Sequence, residues 1–496
     1  MQRRNLAKWF WRVTLIASFI VLSQPLRALA AKADVATIPS DGSLSVTAAE
    51  TEAPRSSDSS VGRVAPTDWL PQSLALGSWR LGPLKLQPTL NVQLDWFAEG
   101  NNGWGGHFAP PLQESRFFFE HSNKGGLNAD LDLEHYGKLT GRVSAIFAMT
   151  GGGLNAAATN YGDIQARDHS IEEGYVEWRS GDLFSALGED ALKVIGGRYT
   201  YQIGDGFLFY NGVSGGGNRA AAWLAPHHAF DQSAILHFNA HGVTLEGFYL
   251  SPNDEPATHT ELVGVDTELQ LFARFKTGLT YANIFRSDTR ERHGLNVMYW
   301  RGEGTPFRKL RDFYLASSVA VESNGNRVSN ALGWYITPSY TFSQLPWQPT
   351  LYYRYASFSG GGDNGNRNFD PLFYGMSDWG TWYQGEILGN WIVSNSNLNS
   401  HQIRLNLSPN DTVNMNVIYY HFLLDSRMQN LVPIPVEPVT SKNLADEINV
   451  IVDFNITSWW TMAITFSVDI PGRAAQQIVG GRQTWIQSGM WSGWTF

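Results

Sequence analysis

The chain has 496 residues, no Cys, 36 Lys+Arg against 45 Asp+Glu, and a formal net charge of −9. The lack of Cys excludes disulfides, thiolate metal ligands and a thiol nucleophile, and the acidic balance argues against nucleic acid as a partner, because a phosphate-binding surface needs clustered basic charge. With 49 Gly, 19 Trp, 19 Tyr and 27 Phe, the chain instead holds the material for turns and for aromatic girdles at two membrane interfaces.

At the amino terminus Arg3, Arg4, Lys8 and Arg12 precede an apolar stretch from Val13 to Leu22 and an Ala28-Leu29-Ala30 cleavage site. This is the layout of a secretory signal peptide over residues 1–30. The apolar stretch is about ten residues, short of the roughly 20 that a spanning helix needs. The signal holds five Arg/Lys and no acid, which leaves 31 basic against 45 acidic groups, a net −14, in the remainder. Residues 31–75, with runs such as Ser56-Ser57-Asp58-Ser59-Ser60, show no period of strand or helix and read as a disordered periplasmic leader.

From residue 76 to residue 496 the pattern changes to repeated runs alternating by two. Leu90, Val92, Leu94 and Trp96 oppose Asn91, Gln93 and Asp95; Ile403, Leu405 and Leu407 oppose Gln402, Arg404 and Asn406. Alternation sustained over about 400 residues fits a transmembrane antiparallel up-and-down β-barrel, because lipid requires a closed sheet with no edge. Candidate strands lie near 127–136, 138–149, 171–181, 190–202, 230–239, 242–250, 262–272, 274–285, 293–301, 311–323, 330–343, 348–358, 399–408, 411–424, 443–456, 459–470 and 484–496. Short joins such as Tyr136-Gly137-Lys138, Ala240-His241 and Thr457-Ser458 alternate with long ones near 150–170, 203–229, 251–261, 359–398 and 425–442. That alternation places both termini in the periplasm. One further amino-terminal strand, 88–97 or 114–121, brings the count to about 18, and counting both together with Trp382–Val393 gives 20. The chain closes on Trp494-Thr495-Phe496 after an alternating aromatic segment, an outer-membrane assembly signal in which Phe496 and Trp494 complete the barrel seam.

Parity also assigns direction to the basic residues. An Arg on the lipid face costs roughly 2–4 kcal/mol at mid-membrane, so Arg142, Arg198, Arg354 and Arg404, each flanked by apolar or aromatic neighbours, are expected to point into the pore, with Arg274 a case near a turn. The same rule sends Asp130, Asp132, Glu134, Glu447, Asp453 and Asp469 inward, so each arginine is open to two roles: pairing with an acid or contacting cargo. The longest join, 359–398, exceeds ordinary connection lengths and is expected to fold into the mouth as a gate. Phe369, Leu372 and Phe373 would anchor it on the wall, Asp370-Pro371 would set its turn, and Gly360-Gly361-Gly362 would be its hinge. Other motifs are weaker. Gly151-Gly152-Gly153 and Gly215-Gly216-Gly217 precede no helix; Asp363-Asn364-Gly365-Asn366 lacks the Glu that a calcium loop needs at 374, which is Tyr; and Pro226-His227-His228 could bind metal, though two exposed loop histidines more often bind nothing. No cofactor or metal is called for.

The run Phe369-Asp370-Pro371-Leu372-Phe373-Tyr374-Gly375, followed by Asp378-Trp379-Gly380, Ser394-Asn395-Ser396-Asn397-Leu398 and Leu444-Ala445-Asp446-Glu447, resembles the alginate export outer-membrane proteins. The resemblance implies a monomeric 18-stranded barrel constricted by basic side chains, passing an anionic polysaccharide across the bacterial outer membrane. Architecture carries over more safely than cargo. A porin for small solutes is the alternative, and an outer-membrane enzyme is a third, for which no Ser/His/acid set can be placed from spacing. The expected partners are an anionic polysaccharide or small solutes, outer-membrane lipid, the barrel assembly machinery and periplasmic export proteins.

Overall fold

The structure, a computed structural model, describes residues 76–106, 115–152, 167–213, 219–255, 257–272, 274–325, 327–361, 366–375, 384–428 and 438–496. The expected signal and leader lie outside the described residues, as do Asp363-Asn364-Gly365 and Asp378-Trp379-Gly380.

A three-residue strand β1 (Trp79–Leu81) forms a hairpin with β2 (Leu84–Gly100). The chain then runs through β3 (Ser115–Asp132), β4 (Lys138–Gly152), β5 (Arg167–Arg179), β6 (Leu192–Tyr199), β7 (Phe230–Ala240), β8 (Val243–Ser251), β9 (Glu261–Phe272) and β10 (Phe275–Arg286). The second half holds β11 (Leu295–Gly304), β12 (Phe313–Asn324), β13 (Val328–Thr341), β14 (Thr350–Phe358), β15 (Leu398–Leu407), β16 (Val413–Leu424), β17 (Asn443–Thr457), β18 (Trp460–Pro471) and β19 (Trp485–Thr495). Each of β2 to β19 pairs antiparallel with its sequence neighbours, and β19 pairs with β2 from Ile486↔Gly100 to Thr495↔Asn91. The result is a closed ring of eighteen strands with no unpaired edge, the form that satisfies every backbone N–H and C=O in hydrocarbon.

The amino-terminal strand is 88–97, extended to β2. The other option, 114–121, is not a separate strand; it fuses with the candidate at 127–136 into the single 18-residue β3. The option of a strand at Trp382–Val393 is overturned, because its described part contains a short helix α1 (Leu388–Trp391) folded inside the barrel. Its run of apolar residues is buried among loop and wall, not facing lipid. Connections at the end that carries both termini are tight at 241–242 and 458–459 and longer at 180–191, 305–312 and 342–349, while the opposite end carries 200–229, 359–397 and 425–442; one connection there, 325–327, is short.

Sidedness follows parity. Val143, Val176, Leu236, Val265, Ile403, Leu405, Ile464 and Phe466 are exposed on the outer face and form the apolar belt, while Ser144, Glu177, Gln402, Arg404, Ser467 and Asp469 are buried on the inner face. At the seam, Phe496 exchanges backbone hydrogen bonds with Leu90 (2.9 and 2.7 Å), its ring lies 5.9 Å from that of Trp459, and Trp494 stacks on Trp460.

Candidate functional site

Two long connections turn back into the ring from its outer end. The first follows β6. Gly204 and Gly206, both at positive φ, bend the chain so that Phe207, Leu208 and Phe209 bury completely. Phe207 packs between Tyr299, Tyr335 and Phe358 of the wall, at ring distances of 5.8, 5.4 and 5.8 Å. The second follows β14. Its Phe369 ring lies over Gly333 of β13, where a Cβ would stand only 2.5 Å from the ring, so the missing side chain is what lets the loop seat against the wall. The two loops then join as a short parallel bridge, Phe209↔Phe373, in which Tyr210 and Asn211 donate to the Phe373 carbonyl at 2.9 Å. Farther along, Trp223 of the first loop stacks on Trp391 of the second at 6.4 Å.

The gate residues named from sequence sit in this junction. Phe369, Leu372 and Phe373 are buried. Asp370 accepts the Leu372 N–H at 2.9 Å, which fixes the turn at Pro371, and also holds Arg292 through two hydrogen bonds of 2.6 and 2.8 Å. Burial alone would push the Asp370 carboxyl up; the Arg292 charge, its hydrogen bonds and the Leu372 N–H outweigh that and hold it below the ordinary Asp value. At the base of the loop Gly360 has no room for a Cβ, which would meet Asn397 Oδ1 at 2.0 Å, and Gly361 adopts φ +77.

What fastens the loops was not anticipated from sequence: glutamates of the wall accept loop backbone N–H groups. Glu120 (β3) takes Trp223 and Leu224, both at 2.9 Å. Glu172 (β5) takes His228 and Ala229 at 2.7 and 3.0 Å and also bonds His227 Nδ1 at 2.8 Å. Glu322 (β12) takes Asp370 N at 2.8 Å, and Glu447 (β17) takes Ile387 and Leu388 at the start of α1, both at 2.9 Å. The inward acids thus serve loop capture as well as arginine pairing. Burial pushes the His228 imidazole down to about 4.

The arginines divide. Arg354 is 1% exposed, hydrogen-bonded to Thr337 Oγ1 at 2.8 Å and lying over the Tyr335 ring at 4.5 Å. It points inward as expected. Arg404 also points inward, donates to Asn416 Oδ1 at 2.6 Å and lies 4.8 Å over Tyr352. Arg142 faces the interior and pairs with Glu173 at 3.0 Å, and Lys124 approaches the same carboxylate at 3.8 Å. Arg198 contradicts its expected direction. It pairs with Gly174, on the face of Val176 and Val194, which are 54% and 42% exposed, and it bonds Asp231 across a register shift at Gly197/Tyr199. The count along β6 is regular; the expectation failed because Tyr199 and Tyr201, counted as outward, pack into the inner core against Tyr175 and Phe248. Arg274 is likewise corrected: it is exposed in the tight turn between β9 and β10, away from the interior wall. Arg301, overlooked in the sequence, is buried on the inner face and bound to Asp266 at 2.7 and 2.8 Å.

Below the joined loops, toward the periplasmic end, lies a cavity of about 1050 Å³. Its wall carries Lys124, Arg142 and Arg404, and also Asp95, Glu173, Glu386, Asp411 and Asp453. Three basic groups against five acidic ones make it mixed, not uniformly basic.

Residues 224–484 match the family described as Alginate export. No curated protein matches the chain. Among solved structures, the chain is similar to the outer membrane protein OpdK of Pseudomonas aeruginosa (TM-score 0.51, 10% identity, 83% of this chain and 98% of that chain). It is also similar to OprD of the same organism (0.50, 10%, 86% and 98%) and to its OpdQ (0.50, 9%, 83% and 97%). At such identity the likeness is one of fold.

Proposed function

Since the chain belongs to the alginate export family, we propose that this bacterial outer-membrane channel exports an anionic exopolysaccharide. The observation that carries the reading is the placement of Arg142 and Arg404 on the wall of one cavity on the periplasmic side of the joined loops. Both are partnered, Arg142 by Glu173 and Arg404 by Asn416, so neither forms a tight, isolated anion site. Weak, repeated attraction is what conduction of a charged polymer requires. Arg354, buried beneath Tyr335, would act on the field of the pore more than by contact. The loops joined at Phe209 and Phe373 would form the gate.

A channel for small solutes is the second reading, favoured by the five carboxylates on the same wall. The family and fold are of channel type, and an enzymatic role forms no part of the proposal. Reversal potentials in planar bilayers separate the readings. Export of a polyanion predicts anion preference, reduced by Arg404→Glu more than by Arg354→Glu, together with current block by oligouronates. A cation-selective wild type that oligouronates leave unblocked overturns it.

A further inference from the structure

The periplasmic half of the lumen carries a set of carboxamides among its hydroxyl and apolar groups. Asn91 and Gln93 on β2, Asn128 on β3, Asn406 on β15, and Asn414 and Asn416 on β16 all line the cavity. Because β15 to β19 and β2 are consecutive around the ring, most of these groups share one continuous arc of wall. Apart from Asn128, they fall into two hydrogen-bonded groups, one on β15 and β16 and one on β2, with β17 to β19 between them. Asn406 Nδ2 donates to Asn414 Oδ1 and Asn416 Oδ1, both at 2.8 Å; Asn416 Nδ2 donates to Asn414 Oδ1 at 3.1 Å; and Gln93 Nε2 donates to Asn91 Oδ1 at 2.9 Å.

A carboxamide offers donor and acceptor on one neutral planar group, which is the complement of a sugar hydroxyl. An amide that already bonds a neighbour can exchange that bond for a hydroxyl of similar strength, so a chain can advance without meeting a deep well. Here Asn128 Oδ1, Thr461 Oγ1 and Thr465 Oγ1, all on the same cavity wall, are buried without a hydrogen-bond partner among the described residues. The charged groups beside them are largely committed: Arg142 and Lys124 share Glu173, and Arg404 is held by Asn416.

We propose that this arc is a hydroxyl-reading track, and that the cargo is a polysaccharide in which uncharged sugar units predominate and carboxylates are sparse. The inference rests on the reading of the channel as a polysaccharide conduit and narrows its cargo. The test uses the full-length folded barrel in planar bilayers, with maltoheptaose, an oligouronate of equal length and a polyethylene glycol of equal size as probes. Maltoheptaose is expected to block the current well beyond polyethylene glycol, and the Asn406→Leu/Asn414→Leu channel to lose at least about tenfold in that block. Should the double variant fail to fold, Asn91→Ala carries the same test. Maltoheptaose acting no better than polyethylene glycol, or blocking the variant as well as wild type, overturns the track. Block by the oligouronate alone overturns the track and leaves the conduit standing. Block by neither saccharide removes both.

Discussion

Glu447→Ala is the sharpest perturbation of the joined loops. The carboxylate receives the Ile387 and Leu388 N–H groups at 2.9 Å each and the Asn449 amide at 2.7 Å. Truncation leaves two buried donors at the start of α1 without an acceptor. Hydrogen bonds to a charged group contribute roughly 1.5–3 kcal/mol each, so the two lost bonds weaken docking of the segment by about 3–6 kcal/mol. Removing a buried charge also recovers desolvation cost, which favours the lower end, about 3 kcal/mol. At 1.4 kcal/mol per decade this is roughly a 100-fold shift toward the undocked segment. Single-channel recording should show brief high-conductance excursions in Glu447→Ala, with Glu447→Gln, which keeps one amide oxygen, falling between it and wild type. Heat-modifiable migration verifies that the barrel has folded. A folded Glu447→Ala channel with wild-type conductance and dwell times refutes the reasoning; the segment would then be held by Gln384 and Gln487 instead, through Ser400, Gln402 and Trp391.

Deleting Phe496 removes the backbone pair with Leu90 and the ring contact with Trp459, so the amount of folded barrel in the outer membrane should fall; normal levels would dismiss an assembly role. Deleting Gly360 to Gly380 should raise single-channel conductance in a barrel that still assembles, and unchanged conductance would mean that the loop does not obstruct the path. Gly333→Leu drives a side chain into the site of the Phe369 ring and should reproduce part of that rise without shortening the loop. Asp370 has a folded value below the ordinary Asp range, so its contribution is full above about pH 4 and is lost as pH falls through the lower folded value. Loop protection from protease should therefore persist to acid pH in wild type and be reduced at neutral pH in Asp370→Asn; equal protection in both would show the Arg292 pair to be idle.

Much of this architecture was legible because period-two alternation and turn spacing are local properties. Arg142, Arg354 and Arg404 lie in regular strands, so counting from an apolar neighbour assigned them to the interior correctly. Arg198 failed because Tyr199 and Tyr201, the neighbours counted as outward, pack into the inner core, and an aromatic residue does not disclose in a single sequence which side of the wall it takes. The loop at 359–398 was recognised by length and by its Phe369-to-Gly375 run. Its partner, 200–229, was noted as a long join only, although Phe207-Leu208-Phe209, an apolar triplet between glycines, was a signal that it packs inside. Parity placed Glu447 inward, but the capture role of the glutamates at 120, 172, 322 and 447 was illegible in principle, since their partners are backbone N–H groups that any non-proline residue can supply. The amides were not singled out, although Asn406, Asn414 and Asn416 share the β15–β16 hairpin and Asn91 and Gln93 share one strand, because nothing in those spacings marks which amides face the cavity.

That wall glutamates grip peptide groups of the loops has an evolutionary consequence. Anchorage of this kind is blind to what the loops spell: Trp223, Leu224, Ile387 and Leu388 could each be exchanged for another non-proline residue and still present the same N–H to Glu120 or Glu447. Variation in the loops can then retune what passes through the channel while the posture of the constriction is inherited unchanged, so that selectivity and architecture drift on separate schedules.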